Sequence, residues 1–317
     1  MWVFLLVLLV LIFLYRWNRE REKLLNLTEK YVFITGCDSG FGNLLAKQLD
    51  KNGLHVLAAC LTDKGAEELK KETSSRLNTV MLNVADSQSV NSAAKWVSDI
   101  VGNKGLWGLV NNAGISNPIA PNEWLAKEDY LKVLNVNLLG VIDVTLKLLP
   151  LIRKARGRVV NVASVAGRVS LSGGGYCISK YGVESFSDSL RREMAQFGIK
   201  VCIVEPGYFK TPVADAKIQR KSLTEIWEKV PKHIKEAYGQ EYFEKYCNNV
   251  ERNLNKVSSK LHLVTDCMEH ALTAVYPRTR YSAGYDAKFF FIPLSYLPTV
   301  FVDFLLSTSR AKAAQSV

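Results

Sequence analysis

Tyr31-Val32-Phe33-Ile34-Thr35-Gly36-Cys37-Asp38-Ser39-Gly40-Phe41-Gly42 is the stretch from which the fold can be read. Its first five residues form a short apolar run, the pattern of a buried strand. Gly36, Gly40 and Gly42 then let the chain turn tightly, and Asn43–Asp50 continues with helical apolar spacing. A glycine turn between a strand and a helix leaves free N–H groups at the positive end of a helix dipole. That is a place suited to a pyrophosphate. The spacing is G-x-x-x-G-x-G rather than G-x-G-x-x-G. Such a cluster alone is a weak signal, because ordinary turns also use glycine. Its place after the first strand of a strand–helix alternation strengthens it.

That alternation continues outward. His55–Cys60 reads as a second strand, Ala66–Lys71 as a charged helix and Val80–Val84 as a third strand. Leu106–Val110, Arg158–Val162 and Val201–Val204 read as the fourth, fifth and sixth strands, with helical segments between them. Strands alternating with helices predict an α/β fold, a doubly wound parallel sheet of Rossmann-like form in a single domain. The 317 residues, 48% hydrophobic and 22% charged, suit an ordinary globular core. That balance excludes a disordered chain, a collagen-like chain and a disulfide-stapled miniprotein.

The net charge is 41 − 30 = +11. Basic residues are spread along the chain, with no zinc-finger, basic-zipper or RNA-binding pattern, so no nucleic-acid partner is expected. A basic surface on a membrane-associated protein accounts for the charge. The six cysteines have no C-x-x-C spacing and read as free thiols. His55, His233, His262 and His270 are scattered without ligand spacing, and no metal is expected.

Chemistry concentrates in three places. Asn111-Asn112-Ala113-Gly114 closes the fourth strand with small and amide residues that let a cofactor pass close. Tyr176 and Lys180, in Tyr176-Cys177-Ile178-Ser179-Lys180, share one helix face at i and i+4. A free phenol has a pKa near about 10, and a nearby ammonium lowers it. Ser164, twelve residues before Tyr176, can hydrogen-bond a substrate oxygen.

These motifs together resemble the short-chain dehydrogenases/reductases, over residues 30 to about 285. More closely, the chain is similar to the microsomal retinol dehydrogenases and the related 3α- and 17β-hydroxysteroid dehydrogenases. The stretches that carry the resemblance are Val32–Gly42, Gly105–Ser116, Asn137–Thr145, Gly173–Arg192 and Pro277–Lys288. It implies Tyr176 as general acid/base and Lys180 as the residue that lowers its pKa and holds the nicotinamide ribose. It implies Ser164 as the residue that orients the substrate oxygen, so that Ser164 and Tyr176 form the substrate contact. Asn137 matches the asparagine that supports the lysine through a water relay. Cofactor contacts fall on Thr35, Gly36, Asp38, Ser39, Gly40, Phe41, Gly42, Asn83, Val84, Asn111, Ala113, Gly114, Tyr176, Lys180, Pro206, Gly207 and Thr211. Association of copies into a homo-oligomer, through helices flanking the fourth and fifth strands, is a further implication.

Two departures bear on the cofactor. Cys60 stands where many NAD-binding members have an acid, and Asn83-Val84 stands where many have Asp-Val. Asn83 can still hydrogen-bond adenine. Leu61 and Thr62 offer no cation for a 2′-phosphate, and Asp38 would repel one, so NAD is expected over NADP.

Trp2 to Tyr15 is uncharged, and Arg16, Arg19, Arg21 and Lys23 follow at once. Without an early positive region or a small-residue cleavage site, this reads as an uncleaved anchor over 1–17. Sixteen helical residues span about 24 Å, against about 27 Å for the endoplasmic reticulum core. Charges after the segment put the catalytic domain on the cytoplasmic side of that membrane. A sequon at Asn26-Leu27-Thr28 would matter only on the lumenal side. Residues 18–29 read as a linker and 30–288 as the dehydrogenase domain. Within it, Leu223, Ile226, Trp227, Val230, Ile234 and Tyr238 form a helical apolar stripe in 210–260. The stripe fits helices that cover a substrate site or helices that simply pack on the core. The apolar runs of 289–317, each too short to span, fit contact with the membrane interface.

The resulting expectation is an NAD-dependent oxidoreductase acting on a lipophilic alcohol, a retinoid or a steroid. Only the resemblance supplies retinoid or steroid. A steroid-specific dehydrogenase or epimerase is the nearest alternative. A non-catalytic dinucleotide-binding scaffold is the alternative of another class, against which the intact Ser164, Tyr176 and Lys180 argue.

Overall fold

A computed structural model describes residues 2–307 and 312–316. Met1 of the expected anchor, and 308–311 and Val317 of the expected C-terminal segment, lie outside the described residues. Seven strands form one parallel sheet: β1 Tyr31–Thr35, β2 His55–Cys60, β3 Leu77–Met81, β4 Gly108–Asn111, β5 Arg158–Val162, β6 Lys200–Pro206 and β7 Arg280–Ala283. Their order is β3-β2-β1-β4-β5-β6-β7, so the winding reverses between β1 and β4. In open α/β sheets, that reversal opens a ligand crevice at the strands' carboxyl ends.

The helices in chain order are α1 Trp2–Arg21, α2 Gly40–Lys51, α3 Asp63–Lys71, α4 Ser87–Val101, α5 Lys127–Leu134, α6 Gly140–Ala155 and α7 Gly175–Met194. There follow α8 Ala216–Lys229, α9 Lys232–Tyr238, α10 Gln240–Leu254, α11 His262–Thr273, α12 Ile292–Leu294 and α13 Thr299–Ser307. Successive strand residues point to opposite faces, and both faces are covered. Val32 and Ile34 meet Leu45, Leu49, Val264 and Met268 from α2 and α11. Phe33, between them, meets the opposite layer, with Val97, Leu148, Ile152 and Leu190 from α4, α6 and α7. Each such side chain contributes about 1.5–3 kcal/mol by leaving water.

The strand expectations hold with three adjustments. β3 begins three residues earlier than Val80, because the register pairs Leu77 with Val56 and Met81 with Cys60. It is a half-buried edge strand with polar Asn78 and Thr79, so its apolar signal sat at the wrong end. Asn83 and Val84 therefore lie past the strand, in the turn before α4. β4 also starts later than expected, at Gly108. β7 was not anticipated. It is a short edge strand, Arg-Tyr-Ser-Ala, with alternating rather than continuous burial.

At the amino terminus, α1 continues past residue 17 to Arg21, and its apolar side chains such as Trp2, Phe4, Leu11 and Tyr15 are exposed. The expected linker is docked: Lys23 bridges to Ala274, and Leu24 N–H donates to the Thr273 carbonyl at 2.8 Å. By length and hydropathy, one stretch among the described residues could cross a bilayer, Lys127–Ala155. It is a layer of the core, with α6 packed on α4 and β4 and α5 packed on α7.

The stripe on α8 and α9 packs inward. Leu223, Ile226, Trp227 and Val230 join Trp124, Phe243 and Cys247 in a separate core. Trp124 lies 4.7 Å from Trp227, which stacks on Phe243 at 5.0 Å. α8 is held to the sheet's carboxyl side by Gln219, which donates to Ser116 at 2.8 Å. All six cysteines are free thiols.

Candidate active site

The glycine turn meets the end of β4 across the crevice. Gly36 has φ +71°, and a Cβ there would sit 2.8 Å from the Ala113 Cα. A Cβ on Gly42 would lie 2.4 Å from the Gly36 carbonyl oxygen. Only glycine fits these two positions, the first also because of its left-handed backbone. Asn112 locks the approach by donating to the carbonyls of Thr35 (2.9 Å) and Gly36 (3.1 Å). Asn112 was not among the expected site residues, although it lies inside the Asn-Asn-Ala-Gly motif. Thr35 accepts from the Asn112 and Ala113 N–H groups, both at 3.0 Å, so its hydroxyl braces the crevice floor.

Asn111 needs a correction. Its side chain points into the layer between sheet and helices, donating to Thr145 and to Asn161, both at 2.8 Å. Asn161 in turn donates to Ser187 on α7 at 2.8 Å. Asn111 therefore ties β4, β5, α6 and α7 together instead of lining the crevice.

Opposite the turn, the loop after β6 closes the crevice. Thr211 lies 3.6 Å from where a Gly40 Cβ would stand, and Phe41 packs edge-on to Phe209 at 5.6 Å. Gly207 cannot carry a Cβ, because the Asp286 carboxylate occupies that space, accepting from Tyr208 N–H at 2.7 Å. Asp286 was unforeseen, although it falls within Pro277–Lys288. Ser39 makes no side-chain cap on α2, which leaves the first N–H groups of that helix available.

Asp38 reaches the end of β2. Its carboxylate accepts from the N–H groups of Leu61 (2.8 Å) and Thr62 (2.9 Å) and from the Thr62 hydroxyl (2.7 Å). The acid absent at Cys60 is thus supplied in space by the glycine turn. Asn83 is folded back on Ala85 N–H at 3.1 Å.

The reactive groups stand at the end of β5. Ser164 caps a single 3-10 turn, accepting from Ala166 N–H at 3.1 Å, and its side chain lies close enough to the Tyr176 phenol to influence its pKa. Burial pushes the Tyr176 phenol above its ordinary value, and the neighbouring Ser164 side chain acts in the lowering direction. Lys180 is buried one turn along α7 and donates to the Val162 carbonyl at 2.8 Å. Burial brings its pKa down to about 8, opposed by the charge of Glu184. The expected lowering of Tyr176 by Lys180 is absent from this geometry: the ammonium lies 5.7 Å from the phenol ring centroid and is aimed at Val162.

Asn137 lies in a π-helical turn, Asn135–Leu139, between α5 and α6. Its amide holds Ile115 by two 2.8 Å bonds and donates to Ser179 of α7 at 3.2 Å. It fastens the helix that carries Tyr176 and Lys180 to the end of β4, and its side chain makes no bond to Lys180. Behind α7 lies an unforeseen ion network. Arg280 pairs with Glu184, Asp188 and Glu205, and Glu205 also accepts from Arg168 at 3.0 Å. Burial holds Glu184 up at about 7, with the charge of Glu205 adding to it.

The crevice, its glycine turn and the Ser–Tyr–Lys group define a nicotinamide-dependent oxidoreductase site. The short chain dehydrogenase family profile matches residues 30–222, and the chain belongs to that family. It is similar to 17-beta-hydroxysteroid dehydrogenase type 6 of Rattus norvegicus, 59% identical over 317 residues and 100% of both chains. It is also similar to retinol dehydrogenase 16 of Homo sapiens, 61% identical over 316 residues, 99% of this chain and 100% of that one. Among solved structures, a Burkholderia phymatum short chain dehydrogenase/reductase in complex with NAD shares the fold. Its TM-score is 0.70 at 20% identity, over 91% of this chain and 98% of that one. A Burkholderia cenocepacia short chain dehydrogenase in complex with NADP does so too, with TM-score 0.65 at 19% identity, over 88% and 98%. The family binds NAD or NADP.

Proposed function

We propose that this oxidoreductase interconverts a lipophilic alcohol, a retinoid or a hydroxysteroid, and its aldehyde or ketone, using NAD. The observation that carries the reaction is the grouping of Ser164, at the end of β5, with the Tyr176 phenol of α7 and with Lys180 buried one turn along the same helix. The substrate class is supported by full-length identity of 59% and 61% to proteins named for those two substrates.

Ser164 orients the substrate oxygen, and the Tyr176 phenolic oxygen takes or gives its proton. The bound nicotinamide supplies the hydride acceptor or donor. Lys180, freed from Val162, holds the ribose hydroxyls and favours the phenolate. Asn137 positions α7. The turn at Gly36, Gly40 and Gly42 with the start of α2 holds the pyrophosphate, backed by Ser39 and Phe41. Asn83 and Val84 flank the adenine; Ala113, Gly114, Pro206, Gly207 and Thr211 line the nicotinamide side. Asp38 favours NAD: the two N–H groups that could bind a 2′-phosphate already hold a carboxylate.

α1 anchors the protein in the endoplasmic reticulum membrane, with the domain facing the cytoplasm. The exposed apolar side chains of α1, and of Phe289, Phe301 and Phe304 near the C-terminus, support this membrane association. The test is NADH formation by microsomes carrying the protein. All-trans-retinol and a 3α-hydroxy-androstane are offered separately, with NAD or NADP. Turnover with NAD that disappears in Tyr176→Phe supports the reading. No turnover by folded, cofactor-bound protein overturns it.

A further inference from the structure

The sheet's amino edge, opposite the active site, carries a second concavity. A cleft of about 680 Å³ lies between the last turn of α1 and the first residues of β6 and β7. Five basic side chains line it: Arg19, Arg191, Lys200, Arg278 and Arg280. The two acids in its wall are already engaged. Glu20 pairs with Arg278, and Asp188 pairs with Arg280 (2.9 Å) and Arg191 (3.4 Å).

Arg19 and Lys200 have no acid partner among the described residues. The Arg19 guanidinium lies 3.8 Å from the centroid of the Tyr276 ring, and Lys200 donates to the Val275 carbonyl at 2.7 Å. Behind them, buried Arg158 donates to the Ala271 and Ala274 carbonyls and lies 5.0 Å from the Trp107 ring centroid, with no acid partner among the described residues. Burial lowers the pKa of Lys200, and the charge of Arg158 lowers it further.

The position of the cleft is set by α1. The chain after the helix is fastened to the domain, with Leu24 N–H on the Thr273 carbonyl and Val275 N–H on the Glu22 carbonyl, both at 2.8 Å. At 1.5 Å per residue, Arg19 lies about 3 Å beyond Trp17. The polar layer of a bilayer leaflet is about 5–7 Å deep. A helix buried to its interfacial Trp17 therefore holds the cleft at the depth of the lipid phosphates. The volume falls in the range of small-molecule sites, about 300–1,000 Å³.

We propose that this cleft binds the phosphate headgroup of an anionic lipid from the leaflet that holds α1, with Arg19 and Lys200 as its free cations. The proposal rests on the anchoring reading of α1. The bound lipid ties helix, β6 and β7 together at the membrane surface, so it stabilises the folded enzyme by mass action.

The test uses the full chain in phosphatidylcholine nanodiscs, with and without a minor fraction of phosphatidylinositol, and reads the melting temperature. Phosphatidylinositol is expected to raise the wild-type Tm by about 2–4 °C. The double variant Arg19→Gln/Lys200→Gln is expected to lose that increment, measured against its own value in phosphatidylcholine. Lys64→Gln/Lys232→Gln, which removes the same charge from exposed sites elsewhere, is expected to keep it. Equal increments in the wild type and the Arg19/Lys200 variant overturn the proposal, as does no increment in the wild type. An equal increment from inorganic phosphate in phosphatidylcholine discs makes this a soluble-anion site and overturns the lipid assignment. Flotation with phosphatidylcholine vesicles is read separately: protein that fails to float overturns the anchor itself.

Discussion

The Asp38 carboxylate lies 2.9 Å from the backbone nitrogen of Thr62, so the end of β2 meets the crevice already carrying a negative charge. A 2′-phosphate placed there would face that charge and would have to displace it from two N–H groups. Asp38→Asn removes the repulsion and keeps the side-chain volume. The expected result is a rise of about tenfold in the ratio of kcat/KM for NADP to that for NAD, about 1.4 kcal/mol. Steady-state kinetics with both cofactors checks it. An unchanged ratio would show that selection lies elsewhere.

Lys180 gives a pH signature in stability. Its pKa in the folded protein, about 8, lies below the value of about 10.4 for a free lysine. Between those values the unfolded chain binds more protons, so this residue makes stability rise with pH. Below about 8 its burial costs the fold the full penalty. Lys180→Met should abolish turnover, and its stability relative to wild type should be most favourable near pH 7. That relative advantage should shrink as pH rises from 8 to 10. Urea melts across this range read the trend; a flat difference contradicts a depressed Lys180.

Gly42→Ala should damage both fold and cofactor site, because the new methyl would sit 2.4 Å from the Gly36 oxygen and 2.5 Å from the Asn112 amide nitrogen. Neither the turn nor the amide can yield without opening the crevice. A loss of about 1–3 kcal/mol is expected, with weaker NADH binding at temperatures where the variant is still folded. Denaturation and NADH fluorescence titration measure the two effects separately.

Trp124→Ala tests whether α8–α10 have a core of their own. Trp124 is 6% exposed and touches Trp227, Phe243 and three tyrosines, so truncation should cost about 3–5 kcal/mol locally. Hydrogen exchange should accelerate across 216–254 while β1, β4 and β5 stay protected. Uniform acceleration would mean that the two cores unfold as one.

The sheet was legible because buried parallel strands are written as continuous apolar runs, and five of the six anticipated strands overlap the observed ones closely. β7 was hidden because an edge strand of four residues beginning with Arg280 has no such run. The glycine turn, Ser164, Tyr176 and Lys180 were visible as a local order of residue types. The apolar stripe at Leu223–Tyr238 was visible as a helix face, but its partner was not, since Trp124 lies about a hundred residues away in the chain.

Local sequence thus determined which residues form strand, turn and helix, and which side chains can carry a proton. Those properties depend on neighbours within a few positions. Only the tertiary structure decided that Asp38 serves the end of β2, that Asn111 turns inward while Asn112 braces the turn, and that Lys180 rests on Val162. Each of these is a contact between distant segments. Hydrogen-bond geometry and burial fix such contacts once the sheet is assembled, and nothing in the linear spacing of the residues encodes them.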